Sequence, residues 1–275
     1  MAVHTPKIER LAWATDIHLN FVSADGVLEF CGRVRRGAYD ALVITGDIAE
    51  GETICDYLRT LAAQLDLPVY FVLGNHDFYD ARIKDVRAAV TELSRATSNL
   101  YYLPTAGVVP LTGTTALVGC DGWGDLRHGK GFESRVEMQD HYLIRDLAAL
   151  SPLGRFARLR SLGEEEAEIM RALLPQALSA FQHVILATHV PPFREACWHR
   201  GKISDGDWLP HFTCKAVGDV LLKIMKENPD HKLTVLCGHT HGAGEAQLLP
   251  NLKVLTGAAR YGRPTLQNVI RPDGV

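Results

Sequence analysis

The stretch Val69-Tyr70-Phe71-Val72-Leu73-Gly74-Asn75-His76-Asp77 joins an apolar run to a polar tetrapeptide. The apolar run is short, rich in aromatic and β-branched side chains and bounded by glycine, a pattern that predicts a buried β-strand. The tetrapeptide then places an amide, an imidazole and a carboxylate at the carboxyl end of that strand. Because ligands of open α/β sheets bind beyond the carboxyl ends of the strands, the tetrapeptide is a candidate functional site.

Four further polar segments also follow apolar runs. They are Asp16-Ile17-His18, Gly46-Asp47, Thr188-His189 and Gly238-His239-Thr240-His241. Each residue taken alone is more often a turn, cap or buried structural residue, since Asp and Asn favour turns. Unrelated turns do not explain why these four segments and the tetrapeptide all occur in one chain. We therefore predict that the five segments converge on one pocket. In extended chain, residues two apart face the same side, so each Asp-x-His or His-x-His pair is expected to aim two side chains there.

A mixture of carboxylate, amide and imidazole suits Mn²⁺, Fe or Zn²⁺ better than Ca²⁺, and we expect Mn²⁺ first among them. The candidate ligands are Asp16, His18, Asp47, Asn75, His189, His239 and His241. This set exceeds the four ligands of one zinc ion, which indicates two divalent ions. Two ions ~3.5–4 Å apart can clamp the attacking and leaving oxygens of an in-line phosphoryl displacement and lower the pKa of a bridging water.

Up to residue 94, strands predicted at 11–15, 41–45 and 69–73 alternate with helices at 27–35, 52–65 and 81–94, which favours a parallel sheet flanked by helices. Beyond it we predict a hairpin of strands at 107–110 and 115–119, helices at 135–150, 164–181 and 213–227, and strands at 183–188, 232–237, 244–249, 252–256 and 265–270. Gly163 before three glutamates is typical of a helix start, since carboxylates are favoured near the positive end of a helix dipole. Without a repeat or a low-complexity linker, residues 1–275 are expected to form one domain.

Composition sets broad limits. A net charge of −3 gives no general attraction to nucleic acid or to an anionic membrane, so we expect neither as a partner. A cleaved leader peptide would remove Asp16, a candidate ligand, so we expect none. No stretch reaches the ~18–20 apolar residues of a membrane span. Six scattered cysteines without Cys-x-x-Cys fit a reduced compartment, and we expect a cytoplasmic protein. The oligomeric state stays open.

The five motifs together, spanning residues 16–241, resemble those of the calcineurin-like metallophosphoesterases, and the tail 257–262 is similar as well. The resemblance implies a four-layer α/β/β/α sandwich, in which two mixed β-sheets pack face to face with helices on the outside. It also implies how the ligands divide. Asp16, His18 and His241 would hold one metal, Asn75, His189 and His239 the other, and Asp47 would bridge both.

The same resemblance gives roles to His76 and Asp77. His76 would face the substrate, and either donate a proton to the leaving oxygen or stabilise charge on the phosphoryl group. Asp77 would accept a hydrogen bond from His76 and orient it. Asp77 stands where the protein phosphatases of this superfamily have glutamate, and Gly46-Asp47-Ile48-Ala49-Glu50-Gly51 departs from their Gly-Asp-x-Val-Asp-Arg-Gly. The chain is therefore more similar to the small bacterial-type branch.

Our main hypothesis is a two-metal hydrolase of small phosphodiesters or nucleotides, with a metal-bridging hydroxide attacking in line and His76 assisting the leaving group. A phosphomonoesterase of the same family, a nuclease and a non-catalytic scaffold such as the retromer subunit are the alternatives. Substrate identity is expected to depend on the loops at 121–135 and 190–212. Arg127, His128 and His199 are the candidate substrate contacts there, with a plain surface loop as the alternative.

Overall fold

The computed structural model describes residues 7–274. The strands in that range are β1 Leu11–Ala14, β2 Ala41–Thr45, β3 Val69–Val72, β4 Leu100–Tyr102, β5 Val109–Pro110, β6 Thr115–Gly119, β7 His183–Ala187, β8 Trp198–His199, β9 Lys202–Ile203, β10 Lys232–Cys237, β11 Gly244–Leu249 and β12 Leu252–Thr256. The α-helices are α1 Ala24–Arg36, α2 Ile54–Gln64, α3 Ile83–Ala96, α4 Leu103–Ala106, α5 Asp140–Leu143, α6 Arg145–Ala148, α7 Pro152–Leu178, α8 Leu209–Phe212 and α9 Lys215–Glu227. None of these helices combines the length and the apolarity that crossing a membrane requires.

Two sheets carry most of the strands. In the first, β1, β2, β3 and β4 lie side by side and run parallel, and residues 266 and 270 add single antiparallel bridges to β1. The second has the order β11-β12-β10-β7-β6-β5, with a parallel centre and antiparallel outer strands β11 and β5. The strands β8 and β9 form a separate hairpin. The centre of each sheet is built from fully buried strands, as expected for parallel strands covered on both faces.

The two sheets pack face to face. Trp13, Val43 and Tyr70 of the first sheet share one apolar core with Ile185 and Leu236 of the second. On the outer side of the first sheet, α1, α2 and α3 bury their apolar faces. On the outer side of the second, α7 and α9 do the same. The predicted α/β/β/α sandwich is confirmed, with the refinement that the first sheet is parallel throughout its four strands.

The carboxyl ends of strands from both sheets meet at one seam. His189 follows β7, and its ring Nδ1 lies 2.9 Å from the carbonyl of Thr45 at the end of β2. The Gly238 N–H donates to the His189 carbonyl at 2.9 Å, which ties the ends of β7 and β10 together. The His239 N–H then donates to Asp16 Oδ1 at 3.0 Å, across from β10 to β1. The five polar segments therefore converge from the edges of two sheets.

Three sequence predictions fail outside the seam. The helix predicted at 135–150 is two short helices, α5 and α6, and residues 265–270 make only single bridges within the described chain. The third concerns Gly163, which does not begin a helix. It lies inside α7, which begins at Pro152. Ser151 caps this helix, because its side chain accepts a hydrogen bond from the Gly154 N–H. A serine cap followed by proline is a stronger helix start than glycine before glutamates.

Gly163 is required by packing, and this gives a first testable prediction. A Cβ at Gly163 would lie 2.5 Å from Cβ of Asp125, a buried residue that cannot move away. We expect Gly163→Ala to lower the free energy of unfolding by about 1–3 kcal/mol, as overpacking does. In an unobstructed helix the same change adds up to ~1 kcal/mol.

The matched control is Gly32→Ala in α1, where a Cβ meets only the mobile guanidinium end of Arg36 at 3.1 Å. We expect it to be neutral or stabilising in urea denaturation monitored by circular dichroism. Equal stabilisation by both substitutions would show that Gly163 is not pressed against Asp125.

Candidate metal centre

The chain leaves its strands through left-handed backbone at the polar segments. The affected residues are Asp16 (φ 49°), His18 (φ 40°), Asp47 (φ 52°), His239 (φ 70°) and His241 (φ 56°). Non-glycine residues seldom adopt this conformation, and such residues concentrate at functional sites. The expectation of extended backbone at these pairs is therefore wrong, although Asp16 and His18 still face one cluster. The sharp turns re-aim the side chains, so that His239 and His241 face two different clusters.

The first cluster joins Asp16, His18, Asp47 and His241, whose ligand atoms all lie within 4.8 Å of one another. His241 Nε2 is 3.3 Å from Asp16 Oδ1 and 3.3 Å from His18 Nε2. His18 Nε2 is 3.7 Å from Asp47 Oδ2. Asp16, His18 and Asp47 are buried and His241 is half-buried, so His241 is the member of this group most accessible to solvent.

The second cluster is centred on His189. Its Nε2 lies 3.3 Å from Asp47 Oδ1, 3.1 Å from Asn75 Oδ1 and 3.2 Å from His239 Nδ1. Asp47 therefore directs one carboxylate oxygen to each cluster. The structure thus brings together all seven ligand candidates.

The spacing of these atoms fits metal coordination. Ligand atoms held ~2.0–2.2 Å from a shared ion are ~2.8–3.6 Å apart, the range from octahedral to tetrahedral angles. Most distances within the two clusters are 3.1–3.3 Å. At this spacing the lone pairs of buried carboxylates and imidazoles repel one another. A cation or protons between them would remove that repulsion.

The protonation states also fit. Burial lowers the pKa of His18 to about 2 and holds the pKa of His239 well below its ordinary value, so both imidazoles are neutral at pH 7. Burial opposes ionisation of Asp16, but the hydrogen bond and charge of His241 outweigh it and lower the pKa of that carboxyl. Burial, and then the charge of Asp16, raise the pKa of Asp47 well above its usual range. A cation between the two carboxylates would reverse that last effect, because it favours the ionised form.

Neighbouring groups fix the orientation of the second cluster. In each histidine the ring nitrogen that points away from the cluster faces a carbonyl. Nδ1 of His189 faces Thr45 O, and Nε2 of His239 faces His211 O. Each of these nitrogens must therefore carry the N–H, which leaves the other ring nitrogen with a lone pair to donate. The Asn75 amide donates through Nδ2 to Asp140 Oδ1 at 2.8 Å, which turns its Oδ1 toward His189. Asp140 was not predicted as a site residue, since it lies in a stretch that the sequence presents as one amphipathic helix.

Asp77 does not orient His76, and that prediction is wrong. Its Oδ1 accepts the backbone N–H groups of Ile48 and Ala49 at 2.8 Å each, and its Oδ2 accepts the Gly74 N–H at 2.8 Å. The two residues lie in a 3₁₀ turn, His76–Phe78, in which successive side chains point about 120° apart. Asp77 therefore points into the interior while the His76 ring faces the cleft.

The His76 ring lies between aromatic neighbours. It packs on Tyr79 with ring centroids 4.3 Å apart and meets His18 edge-on at 4.7 Å. Its Nε2 is 3.4 Å from the hydroxyl of Tyr261. Burial lowers the pKa of His76 to about 4, so the ring is neutral at pH 7 and can donate one N–H.

A second buried carboxylate supports the seam from behind. Asp121 accepts the Leu73 N–H through Oδ1 at 2.9 Å, and its carbonyl accepts the His189 N–H at 2.7 Å. Its other carboxylate oxygen accepts from Arg87 Nε at 2.9 Å and from the Tyr102 hydroxyl at 2.7 Å. Asp121 therefore connects the segment before Asn75 with the segment that carries His189.

A cleft of about 320 Å³ opens over the two clusters. The lining side chains outside the ligand set are His76, Tyr79, Glu137, Met138, Gln139, His199, Trp208, Phe212, Thr240 and Tyr261. His199 thus lies where the sequence places it, with Nδ1 2.9 Å from the carbonyl of Thr240. Tyr261 belongs to the tail 257–262 that resembles the family, whereas Tyr79, Trp208 and Phe212 belong to no motif that the sequence analysis identified.

Arg127 and His128 are not among the described residues that line this cleft. The guanidinium of Arg127 instead pairs with the buried carboxylate of Asp125 at 2.8 Å and with Glu164 at 3.2 Å. Asp125 in turn accepts the Ala216 N–H at 2.8 Å. The prediction that Arg127 and His128 contact substrate is therefore wrong for this structure, because that loop is tied to α7 and α9 and not to the cleft.

Comparison with known proteins agrees with the fold and the site. The profile of the family described as calcineurin-like phosphoesterase matches residues 9–243. The chain belongs to this family, and it is a metal-dependent phosphoesterase. A search of curated proteins returned no match.

Several solved structures share the fold. A phosphopantetheinyl hydrolase from Mycobacterium tuberculosis is 16% identical, with a TM-score of 0.63 over 95% of this chain and 92% of that one. A dimetal phosphatase from Danio rerio is 15% identical, with a TM-score of 0.55 over 92% and 88% of the two chains. A protein of Thermus thermophilus is also 15% identical, with a TM-score of 0.54 over 92% and 90%. At these identities the similarity concerns the fold alone.

The hydrogen bonds of Asp77 give a second prediction. In Asp77→Asn the amide NH₂ cannot accept the N–H that Oδ2 accepts now, so one buried donor loses its partner. We expect the free energy of unfolding to fall by roughly 2–4 kcal/mol. Asp80→Asn is the control, because Asp80 is exposed and Asn tolerates its left-handed φ of 58° equally well. An Asp77→Asn variant as stable as the wild type would contradict the structural role.

Proposed function

We propose that this protein hydrolyses small phosphodiesters or nucleotides with two divalent ions. Asp16, His18 and His241 hold one ion, Asn75, His189 and His239 hold the other, and Asp47 bridges them. The observation that carries the proposal is the position of the Asp47 carboxylate, whose Oδ2 is 3.7 Å from His18 Nε2 and whose Oδ1 is 3.3 Å from His189 Nε2. A carboxylate shared in this way is suited to a pair of ions and not to one.

The donor set favours Mn²⁺, with Fe and Zn²⁺ as alternatives, because it combines hard carboxylate and amide oxygens with imidazole nitrogens. When bound, two such ions supply an activated water and neutralise charge on the phosphoryl group. The protein's own contribution is to hold the ligands in fixed orientations. The carbonyls of Thr45 and His211 and the carboxylate of Asp140 do this for the second cluster.

His76 acts on the substrate and not as a ligand. Its ring lies at the cleft wall, and its own backbone N–H donates to Asp47 Oδ1 at 3.0 Å. A neutral imidazole at pH 7 can donate its N–H to a phosphoryl or leaving-group oxygen, which stabilises the charge that develops there. The Tyr261 hydroxyl, 3.4 Å from His76 Nε2, keeps that nitrogen at the cleft surface. Asp77 contributes by fixing the backbone that carries Asp47.

The setting of the chain is also a proposal. We propose one domain over residues 1–275 in a reducing cytoplasm, supported by six free cysteines, five of them buried. A nuclease is disfavoured because no Lys or Arg is found among the described residues that line the cleft. A scaffold without activity is disfavoured because the ligand set and His76 are all at the site.

The bridging role of Asp47 predicts the effect of an isosteric change on metal binding. Asp47→Asn keeps the shape but removes the charge that both ions share, so we expect Mn²⁺ affinity to fall at least about tenfold at both sites. The measurement is calorimetric titration of metal-stripped protein, with total metal by mass spectrometry. Asp56→Asn, an exposed change on α2, is the control. Loss at only one of the two sites would refute a bridge.

The role of His76 predicts a separation of activity from metal content. His76→Ala should lower turnover of bis(p-nitrophenyl) phosphate with Mn²⁺ by about 10²–10⁴-fold and leave bound metal nearly unchanged. His128→Ala is the matched control, because His128 does not line the cleft in the described structure, and it should keep full turnover. Metal loss in His76→Ala would refute the assignment. If metal-loaded wild type hydrolyses no phosphoester, the proposed function fails.

A further inference from the structure

We propose that the substrate is a phosphodiester with two uncharged, planar or apolar ester arms, each of which rests on one of two aromatic walls that flank the metal centre. This inference rests on the proposed function and narrows its substrate class. It is carried by the placement of exposed aromatic side chains on opposite sides of the two ligand clusters, and by the charges of the cleft.

The first wall, formed by Trp208 and Phe212, lies beside the second cluster. Their rings pack at a centroid distance of 5.1 Å with planes 33° apart. Phe212 meets the ring of the ligand candidate His239 edge-on at 5.0 Å. Trp208 is 41% exposed although it lines the cleft, so a large apolar face is available there.

The second wall, formed by Phe21 and Tyr261, lies beside the first cluster. Tyr261 packs over His18 at 4.4 Å and near His241 at 5.1 Å. Phe21 is not among the cleft-lining residues, but it meets Tyr261 edge-on at 5.2 Å and is 53% exposed, so it extends the aromatic surface that Tyr261 presents in the cleft. Exposed large apolar groups next to a polar site are typical of ligand-binding surfaces. Three of the seven large hydrophobic side chains left exposed in the described chain belong to the two walls.

The ligand clusters lie between the walls, since His239 faces the first wall and His18 and His241 face the second. A phosphoryl group held at the clusters therefore has an aromatic surface on either side. A phosphodiester has one organic arm for each surface. A phosphomonoester has a single arm and leaves one wall without a partner, which forfeits the stacking that such a surface offers.

The charges of the cleft point the same way. The described residues that line it include one carboxylate outside the ligand set, Glu137, and no Lys or Arg. The nearest arginines along the chain, Arg200 and Arg260, are exposed and lie outside the lining. Nucleoside triphosphates and other polyphosphates need such cations for each additional phosphate. A single phosphoryl group with one negative charge needs none beyond the metals.

Binding is tested first, with two diesters whose leaving groups are poor, so that turnover is slow during the titration. Diphenyl phosphate and dimethyl phosphate carry the same charge and differ only in their arms. On Mn²⁺-loaded protein, calorimetry should give a Kd for diphenyl phosphate at least about tenfold below that for dimethyl phosphate. Trp208→Ala and Phe21→Ala should each raise the diphenyl Kd about tenfold and leave the dimethyl Kd unchanged.

Two control variants keep this test decisive. Trp208→Phe retains a ring and should stay within about twofold of the wild type, which excludes a folding defect as the cause of the alanine effect. Phe132→Ala removes an equally exposed aromatic side chain that packs on Phe156 and not on either wall, and it should change neither Kd. Equal binding of the two phosphates, or unchanged diphenyl binding in both wall variants, overturns the inference.

Turnover gives the second test. The kcat/KM of bis(p-nitrophenyl) phosphate should exceed that of p-nitrophenyl phosphate, which has the same leaving group but only one arm, and Trp208→Ala should act on KM more than on kcat. A preference for the monoester overturns the diester inference and leaves the proposed phosphoesterase function standing. Failure of both substrates with metal-loaded protein overturns the proposed function itself, whatever the binding data show.

Discussion

The arrangement at the seam depends on the three backbone hydrogen bonds that the buried Asp77 carboxylate accepts. They join Ile48 and Ala49, just after β2, to Gly74, just after β3. Asp47 directly precedes Ile48, so these bonds fix its backbone, and its side chain is held by the His76 N–H, which donates to its Oδ1 at 3.0 Å. Gly74 completes the constraint, since a Cβ there would overlap the Asp47 carboxylate. The Gly-Asn-His-Asp segment therefore acts on the site partly through a glycine and a carboxylate that bind no metal in our assignment.

Besides the apolar core that the two sheets share, the ligand candidates themselves connect the second sheet to the first at the seam. The ring of His189 reaches the Thr45 carbonyl of the first sheet, and the His239 N–H reaches Asp16. Asp121 adds a third connection, between Leu73 and the His189 backbone. Such polar contacts between sheets are costly in an apolar core, because each buried group needs a partner. At the seam they are satisfied reciprocally, which lets two sheets contribute ligands to one centre.

The sequence predicts most of the strands, and the convergence of the ligand candidates, for a shared reason. Parallel strands place their carboxyl ends together, so polar residues after apolar runs are brought together by topology alone. What it could not give are properties of single side chains in three dimensions. Asp77 and His76 are neighbours in sequence, yet a 3₁₀ turn separates their directions. Asp140 contacts Asn75 across 65 residues, and Trp208 resembles any helix-flanking aromatic until its neighbours are known.

The choice of an amide at position 75 follows from the charge of the pocket. Asp16, Asp47 and Asp140 are already buried within it, and burial together with Asp16 already raises the pKa of Asp47. A carboxylate at 75 would face Asp140 where the Asn75 amide now donates a hydrogen bond at 2.8 Å. That change would replace an attraction by a repulsion between buried charges, which favours protonation of one partner. Asparagine adds an oxygen to the second cluster without adding charge, and Asp140 keeps that oxygen turned toward His189. In our assignment the negative charge available to the metals is therefore concentrated on Asp16 and Asp47.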